Sequence, residues 1–410
     1  MASFVRLLLV VTALGACAAP QATSAVSGTA AAPPANEQIY VATDTGISVV
    51  AQSGAVAREL PRGVSSPDWS AFYAVEPGST TVLHVLDATT GVERASINVP
   101  GRFDLGSAYR VAPSGLSRNG AFLTLEAAPT STASSFAVVD LKSGVVKTIS
   151  VPGAMTVDVV SDDGASLYLV EHRPDNRYNV RLFDLTTGRL AEKPIVDLKQ
   201  IELSTPDSVT RGLMAGVFQA SVDGTLNAWH FSLYFNPGRR PFIHALNVNA
   251  RYATCILDLP VGPGPASPGF WTVALTPNGK SLYAANAIEG TVTKYDADTL
   301  QAVAWKPLSR GAKATTASID ATTASVISPE GYRLYVIADT GIVVVDTTTL
   351  AVKAHLVPDR AVRSLALTAD GRRLYGLSLD GTQLWALDAM TGQPIATLSV
   401  PAATSITRVR

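Results

Sequence analysis

The sequence predicts an all-β fold assembled from repeats of one small antiparallel sheet, and three observations predict it. The phrase QIYVATDTGISVV at 38–50 recurs almost unchanged as RLYVIADTGIVVV at 333–345, which marks internal repetition. Turn sequences of the Asn-Gly and Asp-Gly type separate short apolar runs, and these residues supply the positive φ of tight hairpins. Gly, Pro, Asn and Asp interrupt the apolar runs, so no useful amphipathic helix is expected.

Each repeat follows a template of four strands with a turn at each end of the sheet. The first hairpin turn is predicted at Pro67-Asp68-Trp69, Arg118-Asn119-Gly120, Asp162-Asp163-Gly164, Val222-Asp223-Gly224, Pro277-Asn278-Gly279, Pro329-Glu330-Gly331 and Ala369-Asp370-Gly371. The second turn begins at Asp87, Asp140, Asp184, Asp296, Asp346 and Asp388. The spacing of about 50 residues is typical of four-stranded propeller blades.

The two ends of the repeat region predict how the array closes. The first unit has no strand before Tyr40, whereas residues 404–410 (TSITRVR) alternate like a strand with no hairpin turn after them. We expect this C-terminal strand to pair into the first blade, because a closed ring leaves no sheet edge there to aggregate. The prediction is a β-propeller of eight four-stranded blades. Seven blades is the alternative, since residues 105–152 and 203–260 are the least regular.

The segment SPEGYRLYV at 328–336 and its variants resemble bacterial YVTN-type, WD-repeat-like propellers over essentially all of 38–410. The quinoprotein-like repeat A-x-D-x-x-T-G-x-x-x-W is matched by Ala386, Asp388, Thr391 and Gly392, but Ala396 stands where its tryptophan belongs. We therefore expect the Asp and Thr to hydrogen-bond the turn backbone, and no cofactor is predicted.

The first residues predict export. Arg6 precedes an apolar run at 7–14 that is too short to span a membrane, and LGAC at 14–17 resembles a bacterial lipobox. We expect residues 1–17 to be a lipoprotein signal peptide, with Cys17 lipidated. The alternative is an ordinary signal peptide cleaved near Ala19. Residues 18–37 are predicted to be a flexible Ala/Ser/Thr/Pro tether, and 38–410 a single propeller domain on the outer face of a bacterial membrane, in the envelope or periplasm.

Charge restricts the partners. The 410 residues carry a formal net charge of −1, which argues against the basic surface that nucleic-acid binding requires. We expect a monomer that binds a protein or envelope ligand and contacts the membrane only through its lipid anchor.

A hairpin at 228–248 is rich in aromatic side chains and offers a candidate recognition rim. Its residues are Trp229, His230, Tyr234, Arg239, Arg240 and His244. The alternative is that strand alternation packs these rings between blades.

Two classes of function remain open. No catalytic or metal-ligating pattern is found in the sequence, which favours a non-enzymatic binding or scaffold module. The alternative is a lactonase-like or other propeller hydrolase. Glu126, Glu171 and Glu289 fall near the ends of second strands, where they could meet as a metal or carboxylate cluster at the channel mouth.

Overall fold

The computed structural model describes residues 37–106, 115–128, 130, 132–195, 214–224, 228–235, 241–259, 271–308 and 321–410. Within these ranges the chain forms 32 β-strands, and no helix in them is long and apolar enough to cross a membrane. The strands form eight antiparallel sheets, the blades of a β-propeller.

The strands of the first four blades are as follows. Blade 1 contains β1 (Gln38–Ala42), β2 (Gly46–Ala51), β3 (Val56–Pro61) and β32 (Ser405–Val409). Blade 2 contains β4 (Gly63–Ser65), β5 (Ala71–Glu76), β6 (Thr80–Asp87) and β7 (Glu93–Pro100). Blade 3 contains β8 (Phe122–Glu126), β9 (Ala133–Asp140) and β10 (Val146–Pro152), with a bridge from Leu116 to Leu123 in place of a full first strand. Blade 4 contains β11 (Met155–Val160), β12 (Ser166–Arg173), β13 (Arg177–Asp184), β14 (Arg189–Leu190) and β15 (Met214–Ala215).

The other four blades have four strands each. Blade 5 contains β16 (Val217–Asp223), β17 (Trp229–Phe235), β18 (Phe242–Asn247) and β19 (Tyr252–Asp258). Blade 6 contains β20 (Thr272–Leu275), β21 (Ser281–Asn286), β22 (Thr291–Asp296) and β23 (Ala302–Pro307). Blade 7 contains β24 (Ser325–Ile327), β25 (Arg333–Ile337), β26 (Ile342–Asp346) and β27 (Val352–Leu356). Blade 8 contains β28 (Val362–Leu367), β29 (Arg373–Ser378), β30 (Gln383–Asp388) and β31 (Pro394–Ser399).

The predicted ring closure is confirmed. Strand β32 pairs antiparallel with β1, with Ile39 opposite Val409 and Ala42 opposite Ser405. The first strands of neighbouring blades contact one another, including β28 with β32, so these strands form the inner wall of the ring. Eight blades, rather than seven, are therefore present, and the last strand completes the first of them.

The tyrosine that recurs on the second strand of a blade ties that blade to the next one. The hydroxyl of Tyr168 in blade 4 donates to the carbonyl oxygen of Val248 in blade 5 at 2.7 Å. Tyr40, Tyr283 and Tyr335 make the same bond, to Ala88, Thr347 and Ala389 respectively. Each acceptor directly follows the third strand of the next blade, so one buried hydrogen bond repeats at four blade interfaces: 1–2, 4–5, 6–7 and 7–8.

The second turn is held by its aspartate, as the sequence predicts. Asp87 Oδ1 accepts the backbone N–H groups of Thr89 and Thr90 at 2.9 and 2.6 Å. These bonds, led by that from Thr90, lower the pKa of Asp87 to about 2. The aspartates at the equivalent position make the same bonds: Asp140, Asp184, Asp296, Asp346 and Asp388.

At the closing seam between blades 8 and 1 the tyrosine bond has a different acceptor. The Tyr375 hydroxyl donates to Glu37 Oε2 at 2.5 Å, and Arg373 Nη2 and Nε donate to Glu37 Oε1 at 2.8 and 3.2 Å. The side chains of Glu37 and Arg373 are only 4% and 10% exposed. Burial and the Glu37 carboxylate raise the pKa of Tyr375, which keeps it a donor. These three residues form a buried latch across the seam.

We expect Glu37→Gln to destabilise the ring by about 3 kcal/mol, because it leaves the buried Arg373 without its counter-charge. Chemical denaturation monitored by fluorescence measures the change. Arg372→Gln is the control, since that side chain is 83% exposed and its removal should change stability by less than about 0.5 kcal/mol. Equal effects of the two substitutions would contradict the latch.

Candidate functional site

The residues of the candidate recognition rim lie on β17 and β18 of blade 5. Trp229, His230, Tyr234 and His244 are 7%, 4%, 2% and 3% exposed. Arg239 and Arg240 lie outside the described residues. The four described side chains therefore lie in the interior, as expected if strand alternation packs them between blades.

Alternation along β17 sends its side chains to two different blade interfaces. Trp229 packs with Phe231 in the cluster that includes Trp271 of blade 6. Tyr234 faces blade 4, where its ring stacks on Tyr178 with centroids 4.5 Å apart. The aromatic run in the sequence therefore reflects a central strand buried on both faces.

His230 has two carboxylates as neighbours, from different blades. Its Nδ1 lies 2.7 Å from Asp223 Oδ1 of the same blade. Its Nε2 lies 3.3 Å from Asp158 Oδ1 of blade 4, within ion-pair distance, and the Asp158 side chain is only 5% exposed. Asp158 can face His230 because β11 has a register shift between Val157 and Val159, and such a bulge changes the direction of the intervening side chain.

In the other blades, the residue at the position of His230 is apolar. His230 pairs with Asp223 across the first hairpin, and the residue equivalent to His230 elsewhere is Leu, Ile or Phe. The equivalent pairs are Val409–Ile39, Ser65–Phe72, Leu116–Leu123, Val160–Leu167, Leu275–Leu282, Ile327–Leu334 and Leu367–Leu374. The predicted first turn at Val222-Asp223-Gly224 was therefore wrong in register. Asp223 is the last residue of β16, and Gly224 bonds the carbonyl of Trp229 as the hairpin closes.

The electrostatics make His230 a buried cation. Burial alone would lower the pKa of His230, but the carboxylates of Asp223 and Asp158 outweigh it and raise the pKa from 6.5 to about 10. The imidazolium thus joins blades 4 and 5 by charge. Because the ring is 4% exposed, this arrangement holds a proton in the interior rather than presenting one to a substrate.

The two histidines of the hairpin do not form a facing pair. His230 is opposite Leu246 and His244 is opposite Ser232, so they are offset by two residues along the strands. In the described part of the chain, no group of three or more His, Cys, Asp or Glu side chains is placed to hold a metal ion.

The three glutamates named from the sequence lie in different blades and have separate contacts. Glu126 Oε1 accepts the backbone N–H of Val157, which links blade 3 to blade 4. Glu171 pairs with Arg181 and Arg173, each at 3.0 Å. Glu289 is buried in the turn after β21, where its N–H donates to Asn286 Oδ1 at 2.9 Å. Glu126 and Glu171 are thus engaged in structural contacts.

Two further surfaces were not found from the sequence. One is a cavity of about 440 Å³ at the closing seam, here called the seam cavity. It is lined by Glu37, Gln38, Thr89, Thr368, Ala369, Asp370, Arg373 and Arg410. The other is the outer strand β23, on which Val303 and Trp305 are 58% and 59% exposed. Neither gives a sequence signal, because one joins distant segments and the other looks like an ordinary strand.

The fold defines the chain as an eight-bladed β-propeller. Its sequence matches no protein-family model and no curated protein. Among solved structures, AztD from Citrobacter koseri aligns with a TM-score of 0.55 at 10% identity, over 91% of this chain and 97% of that one. The dihydro-heme d1 dehydrogenase NirN in complex with DHE aligns with a TM-score of 0.53 at 12% identity, over 93% and 76%.

A third similar structure is the periplasmic gluconolactonase PpgL of Pseudomonas aeruginosa. It aligns with a TM-score of 0.45 at 17% identity, over 83% of this chain and 99% of that one. At identities this low, all three similarities concern the propeller fold alone.

The charge on His230 predicts a pH-dependent stability. Because its pKa is raised on folding, its contribution is complete below the unfolded value near 6.5 and is lost as the pH rises toward about 10. We expect the free energy of unfolding to fall by a few kcal/mol over that interval. The triple variant Asp158→Asn, Asp223→Val and His230→Leu should lose this slope. Denaturant titrations from pH 6 to 10 measure it, and parallel pH profiles of the two proteins would contradict the assignment.

Proposed function

We propose that this protein is a membrane-anchored, extracytoplasmic β-propeller that acts as a non-enzymatic binding or scaffold module. The observation that carries the proposal is strand β23, whose six residues are all exposed at the outer edge of blade 6. An outermost strand offers one side of its backbone for pairing, and exposed apolar side chains on it favour a protein partner.

Comparison with other blades supports a specific role for Trp305. Trp305 pairs with Thr293 of the third strand. The residues at the equivalent place on the outer strands of blades 1, 2, 3, 7 and 8 are polar, namely Glu59, Ser96, Thr148, His355 and Thr397, whereas blade 5 has Ile256 opposite His244. A large exposed aromatic at this one position is therefore a departure from the pattern of the ring rather than a property of outer strands.

The neighbouring bulged position differs among the blades: it holds Ala57 in blade 1, Ile395 in blade 8 and Val303 in blade 6. In blades 2 and 7 the bulged residue is a cation that pairs with the turn aspartate, Arg94 with Asp87 and Lys353 with Asp346 at 3.4 Å. Charged side chains on an outer strand discourage pairing with another chain. Blade 6 has Val303 at this point, so that protection is replaced by apolar surface.

The chemistry of β23 favours one kind of occupant. We propose an extended segment of a protein partner that pairs with β23, packs an apolar side chain against Trp305, and places a carboxylate near the exposed Lys306. The ring then serves as a rigid support, since the buried ion pairs of His230 with Asp158 and of Glu37 with Arg373 join neighbouring blades.

Site-specific photo-crosslinking from the neighbouring exposed position 303, in cell membranes, keeps Trp305 and identifies the partner, and the purified partner is then titrated. We expect Trp305→Thr to weaken binding about 30-fold or more, as for an aromatic at the centre of an interface. His355→Thr places the same residue at the equivalent position of blade 7 and should leave the affinity unchanged. Equal affinities of all three proteins would refute β23 as the binding surface.

The cellular location of the protein is part of the proposal. The lipobox-like LGAC at 14–17 and the resemblance to bacterial YVTN-type propellers support an anchor on Cys17 and a place on the outer face of a bacterial membrane. The lipobox-like segment lies outside the described residues, and both features are features of the sequence.

Replacement of Cys17 by Ser should abolish incorporation of labelled palmitate and release the protein from membranes into the soluble fraction. Cys255→Ser is the matched control, because Cys255 is the second of two cysteines in the chain and should not affect labelling. Labelling that survives Cys17→Ser would show that the anchor is elsewhere or absent.

A further inference from the structure

The seam cavity lies where blade 1 differs in topology from every other blade. In a blade whose first two strands are consecutive, a hairpin turn joins them. In blade 1 the first strand is β32 and the second is β1, so no such turn exists between Arg410 and Gln38. Backbone bonds join the two ends, from Gln38 N–H to Arg410 O at 2.8 Å and from Arg410 N–H to Gln38 O at 2.9 Å.

Elsewhere these hairpin turns pack against one another around one face of the ring. A Cβ on Gly120 of blade 3 would lie 2.8 Å from Pro67 Cδ of blade 2, and a Cβ on Gly371 of blade 8 would lie 2.7 Å from Pro329 Cδ of blade 7. Asn119 of blade 3 likewise donates its N–H to Asp162 Oδ1 of blade 4 at 3.0 Å. The seam cavity lies at the place in this series where blade 1 has no such turn.

The charges on its walls are opposite and come from different blades. Arg373 and Glu37 neutralise each other in the latch. Asp370 belongs to the turn of blade 8, where its Oδ1 accepts the Thr368 hydroxyl at 2.6 Å and the Arg372 N–H at 3.0 Å. Its Oδ2 lies 3.9 Å from Nε of Arg372, whose side chain is 83% exposed. Arg410 reaches toward blade 2, where its Nη1 donates to Thr89 Oγ1 at 2.6 Å. The same nitrogen also donates to the Trp69 carbonyl oxygen at 3.5 Å, so these bonds use two of the five guanidinium N–H groups.

We propose that the seam cavity binds a short zwitterionic ligand, of the size of a dipeptide, with its ammonium group at Asp370 and its carboxylate at Arg410. A volume of about 440 Å³ falls in the range of small-molecule sites. A carboxylate matches the forked donors of a guanidinium, and an ammonium matches a carboxylate that stays ionised. The Thr368 hydroxyl, followed by the Arg372 N–H, lowers the pKa of Asp370, which keeps it charged at neutral pH.

The turn of blade 8 should tolerate loss of the Asp370 charge, so a substitution there can test binding without disturbing the fold. Asn119 and Asn278 stand at the position of Asp370 in blades 3 and 6, and each accepts the same hydroxyl bond through Oδ1, from Ser117 and Thr276. Asp370→Asn should therefore keep the turn and remove only the anionic partner. Arg410→Gln likewise keeps a donor for Thr89 while it removes the cation.

The experiment is a calorimetric titration of the full-length protein in detergent with L-alanyl-L-alanine. We expect saturable binding that weakens at least tenfold in Asp370→Asn and in Arg410→Gln. Asp380→Asn is the control, because Asp380 caps a similar turn of blade 8 through Ser378 but does not line the cavity. It should bind the dipeptide like the wild type.

Ligand analogues test the same claim without any change to the protein. N-acetylation should remove the ammonium group that Asp370 binds, and C-amidation should remove the carboxylate that Arg410 binds. Each blocked dipeptide should therefore bind the wild type at least tenfold more weakly than L-alanyl-L-alanine does. Absence of saturable binding up to 10 mM would overturn the proposal. So would equal affinities for the charged and blocked dipeptides, or unchanged binding to both variants. Strand β23 is remote from these residues in the sheet order, so either result leaves the β23 proposal standing.

Discussion

The structure depends on the pairing of β32 with β1. A single four-stranded sheet cannot bury both of its faces, and each blade is stable only between two neighbours. The ring therefore needs a last contact between residues that are more than 360 positions apart, such as Thr404 with Ala42. The latch of Glu37, Arg373 and Tyr375 adds a buried ion pair at that contact. Its position at the seam is where a long-range closure most requires stabilisation.

Around the rest of the ring, one local chemistry repeats. The tyrosine hydroxyl donates a hydrogen bond to the next blade, and the turn aspartate accepts hydrogen bonds from the backbone of its own turn. These two kinds of bond recur in several blades. Residues that follow this pattern carry little information about function. The exceptions are more informative: a histidine in place of a leucine at 230, a tryptophan in place of a polar residue at 305, and a missing turn in blade 1.

The sequence predicted the number of blades, the closing strand and the turn aspartates, because each follows from local periodicity and from repetition. It placed Asp223 in a turn, since Asp-Gly is a strong local signal, whereas the pairing of Asp223 with His230 makes it the end of β16. It also could not show which face of β17 each aromatic occupies. The partnership of His230 with Asp158 depends on a bulge and on a neighbouring blade, and neither has a signature in one repeat.

Charge in this protein is used differently inside the ring and at its edge. Inside, two buried ion pairs cross a blade interface, His230 with Asp158 and Arg373 with Glu37, and such pairs specify how these blades meet. At the edge, the cations that shield β7 and β27 are replaced by Val303 on β23. The tether predicted from the sequence ends at residue 37, the acidic member of the latch. The ion pair of Glu37 with Arg373 therefore fixes the first described residue of the chain to blade 8.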